Sequence, residues 1–271
     1  MNPTEVRARL AAHGLRPSKA LGQHFLADAN TAARIVRLAS VRAGDRVVEV
    51  GPGLGALTVA LARAGARVLA LELDRHLLPA LEETVVGCDV EIVQADALSV
   101  DWPAVLGDDD GWAMVANLPY NVATPVVVRA LETAPMIDRF LVMVQREVGE
   151  RLAATSADDA YGAVSVKVAY YADASVVGTV PPTVFVPQPN VDSALVRLVR
   201  HPPPVHVRDP ERMFELVRAG FATRRKMLRR ALLPALGADA AALLERAGID
   251  PSARAETLDL AAWARLAEVA P

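Results

Sequence analysis

From about residue 30 to about residue 145, short β-branched apolar runs alternate with segments whose apolar positions recur at helical spacing. Arg46–Val50, Arg67–Leu71, Val90–Val93, Ala113–Ala116 and Phe140–Val144 read as strands. Leu54–Ala64, Arg75–Val85 and Thr124–Ala134 read as helices, with Gly65, Gly87 and Pro135 near their ends as stop signals. Such alternation predicts an α/β fold, a doubly wound and mostly parallel sheet with helices on both faces. Ser175–Val180 and Ser193–Val199 read as two further strands. The cluster His201-Pro202-Pro203-Pro204 then interrupts the pattern, and beyond it, apart from a short strand-like Val205–Val207 stretch, the periodicity is helical to the end. Two domains are expected, residues 1–202 and a small helical domain over 203–271. There is no internal repeat, and Asp108-Asp109-Asp110 reads as an acidic loop tip.

Composition narrows the class. At 271 residues, with 52% hydrophobic and 23% charged positions, the chain suits one sizeable soluble domain with an appendage. No apolar run approaches the roughly 20 residues that cross a bilayer, and the first residues lack a secretory apolar core, so no membrane association and a cytoplasmic location are expected. The single cysteine, Cys88, excludes an internal disulfide framework and a cysteine-based zinc site, and no metal is expected. A net charge of −3 argues against a uniformly basic coat for nucleic acid. Charge is nevertheless concentrated in Phe221–Leu232, which carries Arg224, Arg225, Lys226, Arg229 and Arg230 and no acid. As a helix, this segment would place Phe221, Leu228 and Leu232 near one side and leave the cations to meet RNA phosphates. A merely solvated helix face has the same pattern.

Candidate chemistry lies where strands end. Val47–Val50 runs into Gly51-Pro52-Gly53-Leu54-Gly55 and then a helix, an arrangement that lets a nucleotide approach the backbone closely. Glu72 stands 21 positions after Gly51 at the end of the next strand, where a carboxylate can accept both ribose hydroxyls. Asp96 follows the third strand, placed to read an adenine amino group. A nicotinamide-dependent dehydrogenase shares the first two features. Glu49-Val50-Gly51-Pro52-Gly53, however, resembles motif I of the S-adenosylmethionine-dependent methyltransferases.

The fourth strand ends in Asn117-Leu118-Pro119-Tyr120, and here the residue types suit one task. The exocyclic amine of a purine is a poor nucleophile because its lone pair is delocalised into the ring. An Asn117 side-chain oxygen and the Leu118 carbonyl can each accept one of its hydrogens and draw the nitrogen towards a tetrahedral shape. Pro119 lacks an N–H, holds its own backbone and biases Leu118 to an extended conformation, which aims that carbonyl outwards. Tyr120 offers a face on which a base can stack, worth roughly 1–3 kcal/mol. A strand-ending turn also uses Asn and Pro, and a hydride-transfer enzyme has no need of an amine pocket there.

Three more segments extend the resemblance over nearly the whole chain. Lys19-Ala20-Leu21-Gly22-Gln23-His24-Phe25-Leu26, Gln145-Arg146-Glu147-Val148-Gly149-Glu150-Arg151-Leu152 and Phe185-Val186-Pro187-Gln188-Pro189-Asn190-Val191-Asp192-Ser193-Ala194 are similar to signatures of the ribosomal RNA adenine N6-dimethyltransferases, in particular the small-subunit branch of KsgA/RsmA type. The resemblance implies a Rossmann-like S-adenosylmethionine-dependent methyltransferase fold with a C-terminal helical domain. It implies cofactor contacts from His24, Leu26, Gly51, Gly53, Glu72, Asp96 and Asn117, an acceptor pocket of Asn117, Leu118, Pro119 and Tyr120, and base stacking by Tyr120 and Phe185. Many members carry Asn where His24 stands, and His is also usual in this branch. The implied reaction moves methyl groups from S-adenosylmethionine to two adjacent adenosines in a hairpin loop near the 3′ end of 16S rRNA, on a nearly assembled small subunit, with the basic run gripping RNA. A monomer is expected. The neighbouring readings are a large-subunit adenine methyltransferase of the macrolide-resistance type, disfavoured by Leu21–Leu26, and a binding factor of the kind found among mitochondrial relatives, disfavoured by the intact glycine motif.

Overall fold

A computed structural model describes residues 1–107, 109–156 and 158–271. Among these, the strands are β1 (Phe25–Leu26), β2 (Arg46–Val50), β3 (Arg67–Glu72), β4 (Val90–Gln94), β5 (Trp112–Asn117), β6 (Ile137–Gln145), β7 (Ala172–Val180), β8 (Phe185–Val186) and β9 (Ser193–Arg200). The chain forms two compact units, Met1–Glu150 with Ala174–Arg200, and Arg151–Asp173 with His201–Pro271.

The first unit is built on a seven-stranded sheet of order β4-β3-β2-β5-β6-β9-β7. Neighbours from β4 to β6 are parallel and β9 is antiparallel to β6. The apolar runs predicted as strands are buried on both faces where the sheet is central, with Ala113–Ala116 of β5 the clearest case, as strands covered by helices on both sides require. The chain builds outwards from β2 to β4 and then crosses back to lay β5 beside β2. That reversal opens a crevice beyond the carboxyl ends of β2 and β5, where ligands bind in doubly wound sheets. Because β9 runs against β6, it begins at the rim where β6 ends, with Ser193 opposite Gln145.

A separate antiparallel pair, β1 with β8, joins the N-terminal segment to the loop before β9, with Phe25 opposite Val186 and Leu26 opposite Phe185. Two-residue strands carry no periodicity, so neither is visible in the sequence pattern. The helix Ala56–Arg63 starts two residues later than expected, because Gly55 before it adopts a left-handed φ of 84°. Of the acidic loop tip, Asp108 lies outside the described residues, while Asp109 pairs with Arg46 at 3.0 Å. Among the described residues no helix is long and apolar enough to cross a membrane.

The second unit is helical, and it differs from expectation in three places. It takes Arg151–Asp173 as well as the tail, because Tyr161, Val166 and Tyr170 are buried in one core with Phe214, Val217 and Trp263. The Tyr161 hydroxyl donates to the Leu258 carbonyl at 2.9 Å within that core. Val205–Val207 is not a strand. Nor is the basic run one helix: the helix Pro210–Phe221 ends at its start, residues 222–227 turn, and only Leu228–Ala231 is helical again. Leu228 and Leu232 are buried as expected, so the apolar positions follow the periodicity while the helix itself is broken.

Candidate active site

At the mouth of the sheet one cleft gathers Leu21–Leu26, Glu49–Leu54, Leu71–Leu73, Ala95–Leu98 and Asn117–Val122. Gly51, Gly53 and Gly55 all have positive φ, at 70°, 58° and 84°. At Gly53 a Cβ would stand 2.9 Å from a Phe25 ring carbon, so the loop turns in a space that only glycine fits. Glu72 at the end of β3 is 5% exposed. Its carboxylate accepts the Gly53 N–H at 3.1 Å and the Asp74 N–H at 2.8 Å. Burial nonetheless pushes its pKa above the ordinary range, against the pull of those two donors. Asp96 accepts the Leu98 N–H on Oδ1 at 2.9 Å. Both acids therefore have fixed orientations before anything binds.

Glu49 entered the sequence analysis only as the first residue of the motif I resemblance and was given no role of its own. It is fully buried on the cleft wall, and its Oε2 and the hydroxyl of nearby Thr58 have no hydrogen-bond partner among the described residues. Burial pushes its pKa up to about 8, and the charge of nearby Glu72 adds to the rise. The signals were its place in that motif and an acid amid the valines of β2.

The acceptor side is fixed with equal care. Asn117 Nδ2 donates to the His24 carbonyl at 3.2 Å. A carbonyl can face only the NH₂ end of an amide, so Oδ1 must be the end left for a ligand. Leu118 donates its N–H to the Met143 carbonyl at 3.1 Å, anchoring the turn to β6. Pro119 packs so closely on the glycine loop that a Cβ on Gly51 would come within 3.3 Å of its Cδ. The Tyr120 ring stacks with the His24 imidazole, centroids 5.4 Å apart, and its hydroxyl shares a 2.7 Å hydrogen bond with Ser193. His24 Nδ1 in turn lies 2.8 Å from the Pro187 carbonyl.

The N-terminal segment is tied to this mouth by Gln23 of the quoted signature and by Asn121, which the sequence did not single out. Gln23 accepts the Ser18 N–H and donates to Asp74, each at 2.8 Å, and Asn121 donates to the Ala20 carbonyl at 3.0 Å. Gly22 is required there, since a Cβ would sit 2.8 Å from Asn121 Oδ1.

Known proteins supply the last observation. The family model described as ribosomal RNA adenine dimethylase matches residues 14–270. The chain belongs to that family. It is 49% identical to the ribosomal RNA small subunit methyltransferase A of Cutibacterium acnes, over 99% of this chain and 93% of that one. It is also 49% identical to the protein of the same name from Thermobifida fusca, over 100% and 96%. Among solved structures it resembles the 23S rRNA methyltransferase ErmE, with TM-score 0.68 and 30% identity over 91% of this chain and 99% of that one. The fold is shared with a dimethyladenosine transferase from Plasmodium falciparum, at TM-score 0.74 and 22% identity over 90% and 96%. The fold is thus that of the Rossmann-like S-adenosylmethionine-dependent methyltransferases, and the chain is an rRNA adenine dimethyltransferase.

One residue of this dimethylase, Phe185, stands elsewhere than its expected role requires, and Arg224 is partly engaged within the protein. Phe185, expected to stack on the acceptor base, does not reach it. Its ring is 3% exposed and packs in the core with Leu26, Ile35, Leu141 and Leu195, away from the cleft, because pairing with Leu26 turns it inwards. Arg224, expected to meet RNA, is exposed but also engaged within the second unit. Its guanidinium donates to the carbonyls of Asp159 and Tyr161, at 2.9 and 2.6 Å, and lies 3.9 Å from Glu256, so its donors hold the second unit together. Arg225, Lys226, Arg229 and Arg230 are exposed on the dimethylase surface.

Proposed function

We propose that this chain dimethylates N6 of two adjacent adenosines in a hairpin loop near the 3′ end of 16S rRNA, acting as a cytoplasmic monomer on a nearly assembled small subunit. S-adenosylmethionine fits the cleft residues. The positive-φ glycine loop admits a close approach, Glu72 would take the ribose hydroxyls, Asp96 would take the adenine amine, and His24, Leu26 and Asn117 close the site from above. Leu73, 52% exposed beside Glu72, offers an apolar cover for an adenine ring. When bound, the cofactor would supply an electrophilic methyl group.

The carrying observation is the orientation of Asn117. With Nδ2 committed to the His24 carbonyl, Oδ1 and the Leu118 carbonyl are two acceptors for the two hydrogens of an aromatic amine, and neither would serve a substrate without one. Tyr120 supplies the stacking face for a base that has left its own stack, a cost that is low in an RNA loop. Positioning accounts for most of the rate, and the proton lost on alkylation can leave to water. Arg225, Lys226, Arg229 and Arg230 would meet RNA phosphates.

The test is methyl transfer from labelled S-adenosylmethionine to small subunits lacking adenine dimethylation, with naked rRNA and large subunits alongside, followed by nucleoside analysis. Dimethyladenosine confined to small subunits supports the proposal. Label on large-subunit RNA would instead align the chain with the 23S enzyme, and binding without label would make it an assembly factor.

A further inference from the structure

The first residue of β9 contributes one polar group to the site that no role so far explains. Ser193 is 0% exposed, yet its hydroxyl reaches Tyr120 across 73 positions of sequence at 2.7 Å. It arrives there because β9 is antiparallel to β6, so the first residue of β9 stands at the rim where β6 ends. A buried hydroxyl costs free energy unless it is satisfied, and here the Tyr120 hydroxyl satisfies it.

We propose that Ser193 is a positioning residue that holds the Tyr120 ring in the plane on which the acceptor adenine stacks. The proposal rests on the reading of Tyr120 as the stacking platform. A tyrosine ring swings about its Cα–Cβ bond, and its hydroxyl is the far end of that lever. A hydrogen bond at that end restrains the swing more than any contact near the backbone. His24 stacks against the same ring and is itself held by the Pro187 carbonyl, so the ring is gripped at its tip and along one face. Both grips come from the 187–193 loop and the N-terminal segment, which places the tilt of the acceptor base under the control of segments outside the Asn117–Tyr120 turn. Misplacing a reacting nitrogen lowers the rate of transfer while leaving the cofactor's own contacts intact.

The experiment compares Ser193→Ala, Tyr120→Phe and the double variant on small subunits lacking adenine dimethylation. It measures kcat and subunit KM, with S-adenosylmethionine affinity by calorimetry and Tm alongside. Each single change removes the same hydrogen bond, so each should lower kcat about tenfold. The double variant should also lose about tenfold rather than a hundredfold, with cofactor affinity unchanged. Multiplying losses overturn the proposal, as does a wild-type kcat in either single variant, or a loss explained by the unfolded fraction. Should Ser193→Ala fail to fold, Tyr120→Phe decides alone, because it deletes the bond from the cleft side. Tyr120→Ala separates the two ideas. Wild-type kcat in that variant would sink the stacking reading itself, whereas an inactive Tyr120→Ala beside an unimpaired Ser193→Ala would sink only the role of Ser193.

Discussion

Replacing Asn117 with alanine tests the acceptor pocket at its most exposed assumption. The side chain has two ends: Nδ2 donates to the His24 carbonyl at 3.2 Å, and Oδ1 is the end proposed to accept the substrate amine. Loss of the first bond should cost about 1 kcal/mol of stability, a shift of about 2–4 °C in Tm for a chain of this size. Loss of the second would remove the acceptor proposed for the reacting nitrogen. Oriented groups of that kind are worth about 10² to 10³ in rate in other enzymes. Single-turnover methylation of small subunits should therefore fall by about that factor, while RNA association persists and Tm moves little. Asn117→Asp refines the test, because the carboxylate keeps an oxygen for the substrate but turns another against the His24 carbonyl. It should lose less rate than alanine and more stability. A single-turnover rate for Asn117→Ala within threefold of wild type would refute the reasoning, since no stability effect of this size could mask the missing acceptor.

Glu49 predicts a pH dependence of stability. Its folded-state pKa of about 8 lies above the ordinary 4.5, so the folded protein holds a proton that the unfolded chain releases. The stability present below about pH 4.5 should be lost progressively as pH rises to about 8, by up to a few kcal/mol, and Glu49→Gln should flatten that slope in denaturant titrations. An identical slope in the variant would assign the titration elsewhere. In the second unit, a Cβ on Gly220 would stand 2.5 Å from the Trp263 ring, so Gly220→Ala should destabilise by about 1–3 kcal/mol, read as a lower unfolding midpoint; an unchanged midpoint contradicts the packing. Charge reversal at Arg225 and Lys226 should weaken subunit binding and reduce its salt slope by about 0.7–0.9 for each phosphate no longer neutralised. A slope equal to wild type would move the RNA grip to another face.

Much of the fold was legible because buried parallel strands write themselves as apolar runs. Arg46–Val50, Ala113–Ala116 and the glycine loop between strand and helix are local features, decided by residues within a few positions of each other. The acids at strand ends were legible for the same reason: once Glu72 and Asp96 close β3 and follow β4, a parallel sheet must bring them to one rim. The helical tail followed from its periodicity. Phe185 shows the limit, because an aromatic between prolines suits a stacking platform and a core residue equally. Only its pairing with Leu26, 159 positions away, turned the ring inwards.

Sequence by itself thus determined the elements, the order of strand and helix, and the turn residues that make chemistry possible, since these depend on short-range sterics and on the burial of one face. Tertiary structure decided what depends on partners distant in the chain. It gave Asn117 its orientation through the His24 carbonyl, drew Arg151–Asp173 into the helical unit through the core around Trp263, and committed Arg224 to the carbonyls of Asp159 and Tyr161. A side chain's periodicity shows whether it is buried; which atoms meet it there is set by how the strands are ordered and how the loops between them close.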